Sequence, residues 1–186
     1  CYACHRNLPP GQSDPICLTC QYKLPRTDHH LYPENAFTER LWGRLDLESA
    51  AAFLQFVKEG RVQQLLYHLK YNGKREVGLY LGHIYGEVLK TVPEFQAIDV
   101  IVPVPLHPRK KKIRGYNQAE LFAQGLSGAM QKPVLNALQR VVFTQTQTKM
   151  TRAERQVNVS RAFERSEEIN LEGKHVLLVD DVVTTG

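Results

Sequence analysis

Three stretches of the chain repeat their apolar residues at the spacing of an amphipathic helix. Between residues 61 and 74 these residues fall at i, i+3, i+4 and i+7, on one helical face, and Asn72-Gly73 is a turn signal. The same reasoning predicts a second helix over about 76–90, ended by Pro93, and a third over about 117–130. The apolar faces comprise Val62, Leu65, Leu66 and Leu69; then Val77, Leu81, Ile84, Tyr85 and Val88; then Ala119, Phe122, Leu126 and Ala129.

Two largely apolar runs predict buried strands. Residues 98–104 are mostly β-branched and end among prolines, and residues 175–181 lead from four apolar residues into two acids. Such runs are typical of parallel strands covered on both faces. A shorter run at 141–143 predicts another strand, and residues 49–60 fit either a strand with a turn at its end or a helix, of which we favour the strand. Alternating strands and helices predict an α/β domain with a mainly parallel sheet flanked by helices.

All four cysteines lie within the first 20 residues, in the spacing C-x2-C-x12-C-x2-C. Two such knuckles can place four thiolates at the corners of a tetrahedron, the arrangement that Zn²⁺ prefers. The segment between them is rich in Pro, Gly and polar residues, so a metal would hold it together. The alternatives are two disulfides or a redox pair. We expect a small N-terminal module in which one structural zinc is bound by Cys1, Cys4, Cys17 and Cys20.

Charge narrows the class of partner. The net charge is +5 and the pI is about 9.0, which favours anionic partners such as nucleotides or nucleic acid. Five of the six residues 109–114 are basic, and Tyr116 beside them offers a ring that could stack on a base. The alternative for Lys110 to Lys112 is a solvated surface. No apolar run approaches the roughly 20 residues that span a bilayer, and we expect a cytoplasmic protein.

Two adjacent acids follow the last predicted strand. Asp180 and Asp181 stand where ligands of open α/β sheets bind, beyond the carboxyl ends of the strands. The Thr-Thr-Gly turn at 184–186 can form a phosphate-binding nest, and carboxylates pair well with vicinal hydroxyls. Together these features indicate a ribose 5-phosphate ligand. The alternative is a strand followed by a capped turn with surface acids.

The segment "VLLVDDVVTTG" resembles the 5-phosphoribosyl-1-pyrophosphate (PRPP) motif of type I phosphoribosyltransferases. The whole chain resembles the ComF/GntX family of competence-related, phosphoribosyltransferase-like proteins. This likeness extends to the paired cysteine knuckles, "HLKYNGK", "VPVPLHPRKKKIRGYNQAELFA" and "TKMTRAERQVNVSRAF", in the family's order. The resemblance implies a type I phosphoribosyltransferase-like sheet with an N-terminal Cys4 zinc module. Both ends look trimmed, and we expect the motif to continue past Gly186.

The resemblance also implies roles for particular residues. Asp180 and Asp181 would hold the ribose hydroxyls, and the turn that follows them would hold the 5-phosphate. Magnesium would accompany PRPP, and pyrophosphate would leave the ribose C1 through an oxocarbenium-like state. A loop over about 144–161 would close the site. The residues implied are Asp180, Asp181, Val182, Val183, Thr184, Thr185 and Gly186 for PRPP; Pro105, Leu106, His107, Arg109 and Arg114 for pyrophosphate; and Arg152, Arg155 and Asn158 in the closing loop, with the two arginines and the two acids as the catalytic set.

These observations give a domain division and two main hypotheses. We expect a zinc module at 1–25, a linker at 26–45 and a phosphoribosyltransferase-like domain at 46–186. The first hypothesis is a PRPP-binding protein, a candidate pentosyltransferase, that is linked to DNA uptake and its machinery. The second is a non-catalytic single-stranded DNA-binding accessory protein with a vestigial PRPP site. A zinc-stabilised scaffold is the third. The region that would recognise an acceptor, 46–97, indicates none.

Overall fold

The computed structural model describes residues 1–142 and 162–183. A short 3₁₀ helix at His29–Leu31 precedes the main domain. The helices are α1 (Leu18–Tyr22), α2 (Arg61–Tyr71), α3 (Arg75–Leu89), α4 (Pro93–Gln96), α5 (Pro108–Arg114) and α6 (Gln118–Met130); the strands are β1 (Val100–Pro103), β2 (Leu138–Arg140), β3 (Phe163–Arg165) and β4 (Val176–Val179).

The described strands form one parallel and one antiparallel pair. Strands β1 and β4 are parallel, in a register that pairs Val100 with Val176 and Pro103 with Val179. Strands β2 and β3 are antiparallel. Helices flank the parallel pair, so the mixed α/β class expected from the sequence is confirmed. The short strand predicted at 141–143 lies instead at Leu138–Arg140, because pairing with β3 sets its position.

Burial of the parallel pair is uneven. All four residues of β1 are buried, as predicted for a strand covered on both faces. In β4 only Val179 is buried, and Leu178 is 60% exposed. The prediction of burial on both faces is therefore wrong for β4, because among the described residues only the α6 side of the strand is well covered.

The three periodic helices are confirmed, and their ends have local causes. Helix α2 stops at Tyr71, and Gly73 then adopts a positive φ of 67° in the turn that leads into α3. Helix α3 ends at Leu89, before Pro93, which opens α4 instead of ending α3. A proline suits the first turn of a helix because the missing N–H would have no partner there.

Helix α5 and the crossing at 49–60 differ from expectation. Helix α5 forms within the basic run, where no apolar stripe announces it; the His107 side chain caps its first turn and Gly115 ends it with a φ of 84°. Residues 49–60 form no regular strand, since Leu54 makes only an isolated bridge to Arg26. A turn at the end of this crossing brings the Gly60 N–H to the Val57 carbonyl (3.0 Å).

Helices α3 and α6 cross with their backbones almost in contact. At the crossing Gly82 faces Gly125, and a Cβ added at Gly125 would lie 2.2 Å from the Leu79 carbonyl oxygen. Below this crossing, Tyr85 and Leu89 from α3 and Leu126 from α6 pack over the inner face of the sheet. The helix pair thus fixes the sheet whose strand ends carry the predicted site.

The cysteine module shares a hydrophobic core with the helices. Ile16 and Cys20 are almost completely buried, in one cluster with Leu65 and Leu69 of α2 and with Val77 of α3. The division at 1–25, 26–45 and 46–186 stays a prediction, but the module and the helices stabilise each other. None of the described helices is long and apolar enough to cross a membrane.

Candidate functional site

The carboxyl ends of β1 and β4 lie side by side. The Val104 N–H donates to the Val179 carbonyl (2.8 Å), which extends the parallel pairing by one residue past β1. The chain then turns away through Pro105 on one side and Asp180 on the other. The acids and the first part of the predicted pyrophosphate loop are therefore neighbours, as expected for ligand-binding residues of an open α/β sheet.

The two acids are held close together and face a lysine. The Asp181 N–H donates to Oδ1 of Asp180 (2.7 Å), so the first carboxylate folds back on the turn. The ammonium Nζ of Lys70, from the last turn of α2, lies 2.6 Å from Oδ2 of Asp181. This ion pair is partly buried, with side-chain exposures of 24% for Lys70 and 16% for Asp181. The acid pair therefore carries one internal counter-charge.

The pKa of Asp180 departs from its ordinary value. Burial of the carboxyl group, followed by the charge of Asp181, raises the pKa of Asp180 from 3.8 to about 6, and the Asp181 N–H and Lys70 oppose this rise. The residue as a whole stays exposed, so its carboxyl group lies against neighbouring atoms at the surface of the site. At neutral pH Asp180 is mostly ionised, and its carboxylate can accept hydrogen bonds from hydroxyl groups.

The turn after β1 presents a buried imidazole. Pro105 and Leu106 are half-buried and lead to His107, whose Nδ1 accepts a hydrogen bond from the Arg109 N–H (3.1 Å). Desolvation, and then the charge of Arg109, lowers the pKa of His107, which favours the neutral ring that accepts this hydrogen bond. Its task in this fold is to cap α5.

Asn117 fixes the start of α6 to the end of β1. Its Nδ2 donates to the Val104 carbonyl (2.9 Å), and its Oδ1 caps α6 by accepting from the Ala119 N–H (3.3 Å). Because Asn117 is buried, both hydrogen bonds form away from solvent. The carboxyl end of β1 is therefore held by a side chain as well as by the sheet.

The basic run divides between several contacts. Arg114 donates to Oε1 of Gln118 (2.6 Å), and its guanidinium lies 5.9 Å from the centre of the Tyr71 ring. Lys111 pairs with Glu120 (3.2 Å). The Arg114 guanidinium thus lies against α2 and α6 and, among the described residues, does not face the acid pair.

Tyr116 is unavailable for stacking on a base. It is buried, and its hydroxyl donates to the Leu69 carbonyl (2.5 Å). The Arg75 guanidinium covers its ring at 4.8 Å. The expectation that Tyr116 stacks is therefore wrong. Tyr67 and Tyr71 on α2 are 52% and 68% exposed, with ring centres 5.3 Å apart, and they offer the rings that Tyr116 does not.

The four cysteines converge as predicted. All four Sγ atoms lie within 4.8 Å of one another, and Cys4 and Cys17 are 4.0 Å apart, far beyond the about 2.05 Å of a disulfide. All four are free thiols. A hydrogen bond from the Arg6 backbone lowers the pKa of Cys4 to about 7, which favours the thiolate that binds metal. The donor set fits a closed tetrahedral site, so the four residues can hold a metal ion such as zinc.

Other predicted site residues fall outside the described residues. The proposed closing loop at 144–161, with Arg152, Arg155 and Asn158, is one such part, and the phosphate turn at 184–186 is the other. Of the two residues between the acids and this turn, Val182 is half-buried and Val183 is exposed.

Lys70 was missed by reasoning from the sequence. It lies four residues after Leu66, so it borders the apolar face of α2, and a lysine at that edge is a signal that could have suggested an inward-facing charge. A surface reading of "HLKYNGK" would have assigned Lys70 to solvent.

The sequence is similar to proteins named for competence and for DNA utilization. Competence protein F of Haemophilus influenzae is 38% identical over 99 residues, which cover 52% of this chain and 43% of that protein. DNA utilization protein YhgH of Escherichia coli (strain K12) is 35% identical over 126 residues, covering 66% of this chain and 55% of that protein. Competence protein ComFC of Bacillus subtilis is 23% identical over 185 residues, covering 92% of this chain and 73% of that protein.

The chain spans about half the length of the first two of these relatives. No family model matches it, and no solved structure matches it.

Proposed function

We propose that this chain, which belongs to the ComF family as its relatives named for competence and DNA utilization support, binds PRPP or ribose 5-phosphate in a protein that serves DNA uptake. The observation that supports this choice of ligand is the position of the acid pair, Asp180 and Asp181, at the carboxyl end of β4 beside the loop that follows β1. The names of the relatives support the role in DNA uptake.

The chemistry of the acid pair favours a sugar over a bare phosphate. Two carboxylates repel a phosphate that approaches them directly, whereas each accepts a hydrogen bond from a vicinal hydroxyl of ribose. In the proposed complex the 5-phosphate binds at Thr184 to Gly186, and pyrophosphate binds at the loop after β1 and at Arg109 and Arg114. Mg²⁺ suits such a site because it is bound by one or two carboxylates together with the phosphates of the ligand.

Transfer of the phosphoribosyl group is the reaction that this site would support. Pyrophosphate leaves C1 of the ribose while an acceptor approaches the opposite face, and the rate depends on orientation and on stabilising the leaving charge. Arg152 and Arg155 are the proposed cationic residues of the closing loop. Closure also excludes water, which would hydrolyse the activated sugar.

The test is a calorimetric titration of PRPP with Mg²⁺ on a chain extended past Gly186. One charge-assisted hydrogen bond contributes about 1.5–3 kcal/mol, so Asp180→Asn and Asp181→Asn should each weaken binding roughly ten- to a hundredfold. Asp46→Asn makes the same chemical change at an exposed position and should bind like the wild type. No saturable binding up to millimolar PRPP, or full affinity in both site variants, would refute the proposal.

A second function, binding of single-stranded DNA, is favoured by the exposed ring pair on α2. Tyr67 and Tyr71 stand next to each other, and Arg114 lies beside Tyr71. Aromatic rings that stack on bases, combined with cations that contact the backbone, are the usual elements of sequence-tolerant single-strand binding. The proposal moves the stacking role from Tyr116 to these two rings.

Fluorescence anisotropy with a single-stranded oligothymidylate tests this second function. Stacking contributes about 1–3 kcal/mol per base, so Tyr71→Ala should weaken binding about tenfold. Tyr22→Ala, which removes an even more exposed ring on α1, should not. Neutralising Lys110, Lys111 and Lys112 together should flatten the salt dependence by about 0.7 per lost phosphate contact. If neither change alters binding, these residues are an ordinary solvated surface.

A further inference from the structure

The ammonium group of Lys70 contacts the acid pair through Asp181. It lies 2.6 Å from Oδ2 of Asp181, and that oxygen is shielded from solvent. Lys70 comes from α2, whereas the acids follow β4 more than a hundred residues later in the chain. The contact is therefore made by the fold and not by local sequence. A partly buried pair of this kind is not equivalent to the exposed Lys90–Glu87 pair on α3, where both side chains are 44% exposed.

We propose that Lys70 is a positioning residue of the ligand site, which fixes the orientation of the Asp181 carboxylate and offsets the charge of the acid pair. This inference rests on the proposed function. With Oδ2 held by the ammonium, Oδ1 of Asp181 is the oxygen to which a ribose hydroxyl donates. The ligand then meets a pair that carries about one net negative charge instead of two.

The offset matters because the ligand is itself anionic. PRPP carries several negative charges, and two uncompensated carboxylates beside it would oppose binding at short range. Lys70 adds a positive charge without adding a group that competes for the hydroxyls, since ammonium has no acceptor. The lysine and the acid pair together form a site that accepts hydroxyl hydrogens next to phosphate.

A purely structural role for Lys70 explains less. Helix α2 is already anchored by Leu65 and Leu69, both almost fully buried against the cysteine module and α3. Lys70 is not needed to attach the helix, whereas its charge bears directly on the acids. Among the described residues, Asp181 and Lys70 are the charged groups that act on the ionisation of Asp180, and Lys70 lowers the pKa that burial and Asp181 raise.

The experiment compares Lys70→Met with Lys70→Arg on the extended chain, and uses Lys90→Met as the matched control. The first readout needs no ligand: the aspartate carboxyl carbons are titrated by NMR. Lys70→Met should raise the titration midpoint of Asp180 above about 6, Lys70→Arg should restore it, and Lys90→Met should leave it unchanged. The second readout is PRPP with Mg²⁺, where Lys70→Met should weaken binding about tenfold and Lys70→Arg should largely recover it.

The outcomes separate this inference from the proposed function. If the wild type does not bind PRPP, the proposed function fails, and the carboxyl titration still decides whether Lys70 controls the acid pair. If Lys70→Met changes neither the titration nor PRPP affinity, the inference is wrong. If it alters the melting temperature alone, Lys70 is structural and the inference is again wrong. Lys70→Gln, which keeps a polar side chain, is the second variant should the methionine not fold.

Discussion

The same substitution at two glycines of α6 should have opposite effects on stability. Gly125 faces α3, and a Cβ there would lie 2.2 Å from the Leu79 carbonyl oxygen and 2.7 Å from the His83 nitrogen. Both are backbone atoms that cannot rotate away. At Gly128, on the exposed side of the same helix, the built Cβ meets nothing within 4 Å. The pair isolates helix packing from helix propensity.

The magnitude follows from these distances. To accept the methyl group at Gly125 the two helices must separate by about 1 Å, and a gap of 0.5–1 Å forfeits roughly a quarter to a half of the attraction between packed atoms. Overpacking of a tight core costs about 1–3 kcal/mol, and backbone against backbone belongs at the upper end. For a chain of this size we expect Gly125→Ala to melt roughly 5–10 °C below the wild type.

Gly128→Ala should instead raise the melting temperature slightly, because alanine is favoured over glycine in a helix by about 1 kcal/mol. Thermal unfolding followed by circular dichroism measures both variants under identical conditions. If Gly125→Ala melts at or above the wild-type temperature, α3 and α6 do not cross at this residue, and the account of how the sheet is held would be wrong.

Three further predictions follow from the fold and the sites. Elemental analysis should find about one zinc per chain, and metal-free protein with two disulfides by mass spectrometry would contradict the zinc site. Cys20→Ser should lower the melting temperature of the whole chain, because Cys20 shares its core with α2. Asp180→Asn should melt above the wild type at pH 8. Because the pKa of Asp180 is raised to about 6, ionising this residue above that pH lowers the free energy of unfolding of the wild type, and asparagine avoids this loss. The difference in melting temperature should vanish as the pH falls from about 6 towards 3.8, and the exposed-site control Asp46→Asn should show no such trend. Asn117→Ala should cost about 1–3 kcal/mol in urea unfolding, because the Val104 carbonyl and the Ala119 N–H both lose a buried partner. Asn117→Ser, whose hydroxyl can still cap α6, should cost less, and an equal cost for both variants would contradict this.

Helices and strands that are marked by a local pattern of apolar residues could be predicted from the sequence. Helices α2, α3 and α6 each carry an apolar stripe, and β1 is an uninterrupted run of apolar residues. The position of the acids also followed from local pattern, since a buried strand that ends in two carboxylates places them at the sheet edge. The four cysteines needed only their spacing, because four thiolates in paired knuckles have few other uses.

Two kinds of feature could not be predicted from the sequence: a helix without an apolar stripe, and residues whose position is set by contacts distant in sequence. Helix α5 has no apolar stripe and depends on the residues at its two ends, His107 and Gly115. Tyr116 reads as an exposed ring in a basic run, yet a hydrogen bond to the Leu69 carbonyl, 47 residues away, buries it. The place of β2 depends on its pairing with β3 across the part of the chain outside the described residues. For Tyr116 and β2 the deciding partner lies far away in sequence, whereas α5 depends on two end residues that carry no apolar pattern.

Helix α2 connects the metal site to the acid pair. Its buried face, with Leu65 and Leu69, packs against Ile16 and Cys20 of the cysteine module, and its last turn carries Lys70 to Asp181. The cysteine module and α2 therefore share one hydrophobic core, and the same helix supplies the positive charge beside Asp181. Because the module forms part of the core around α2, losing a metal held by the four cysteines would loosen the packing of the helix that carries Lys70. We therefore expect a chelator that strips metal from the four cysteines to raise the titration midpoint of Asp180, as Lys70→Met should. An identical Asp180 titration with and without the chelator would show that α2 does not connect the two sites.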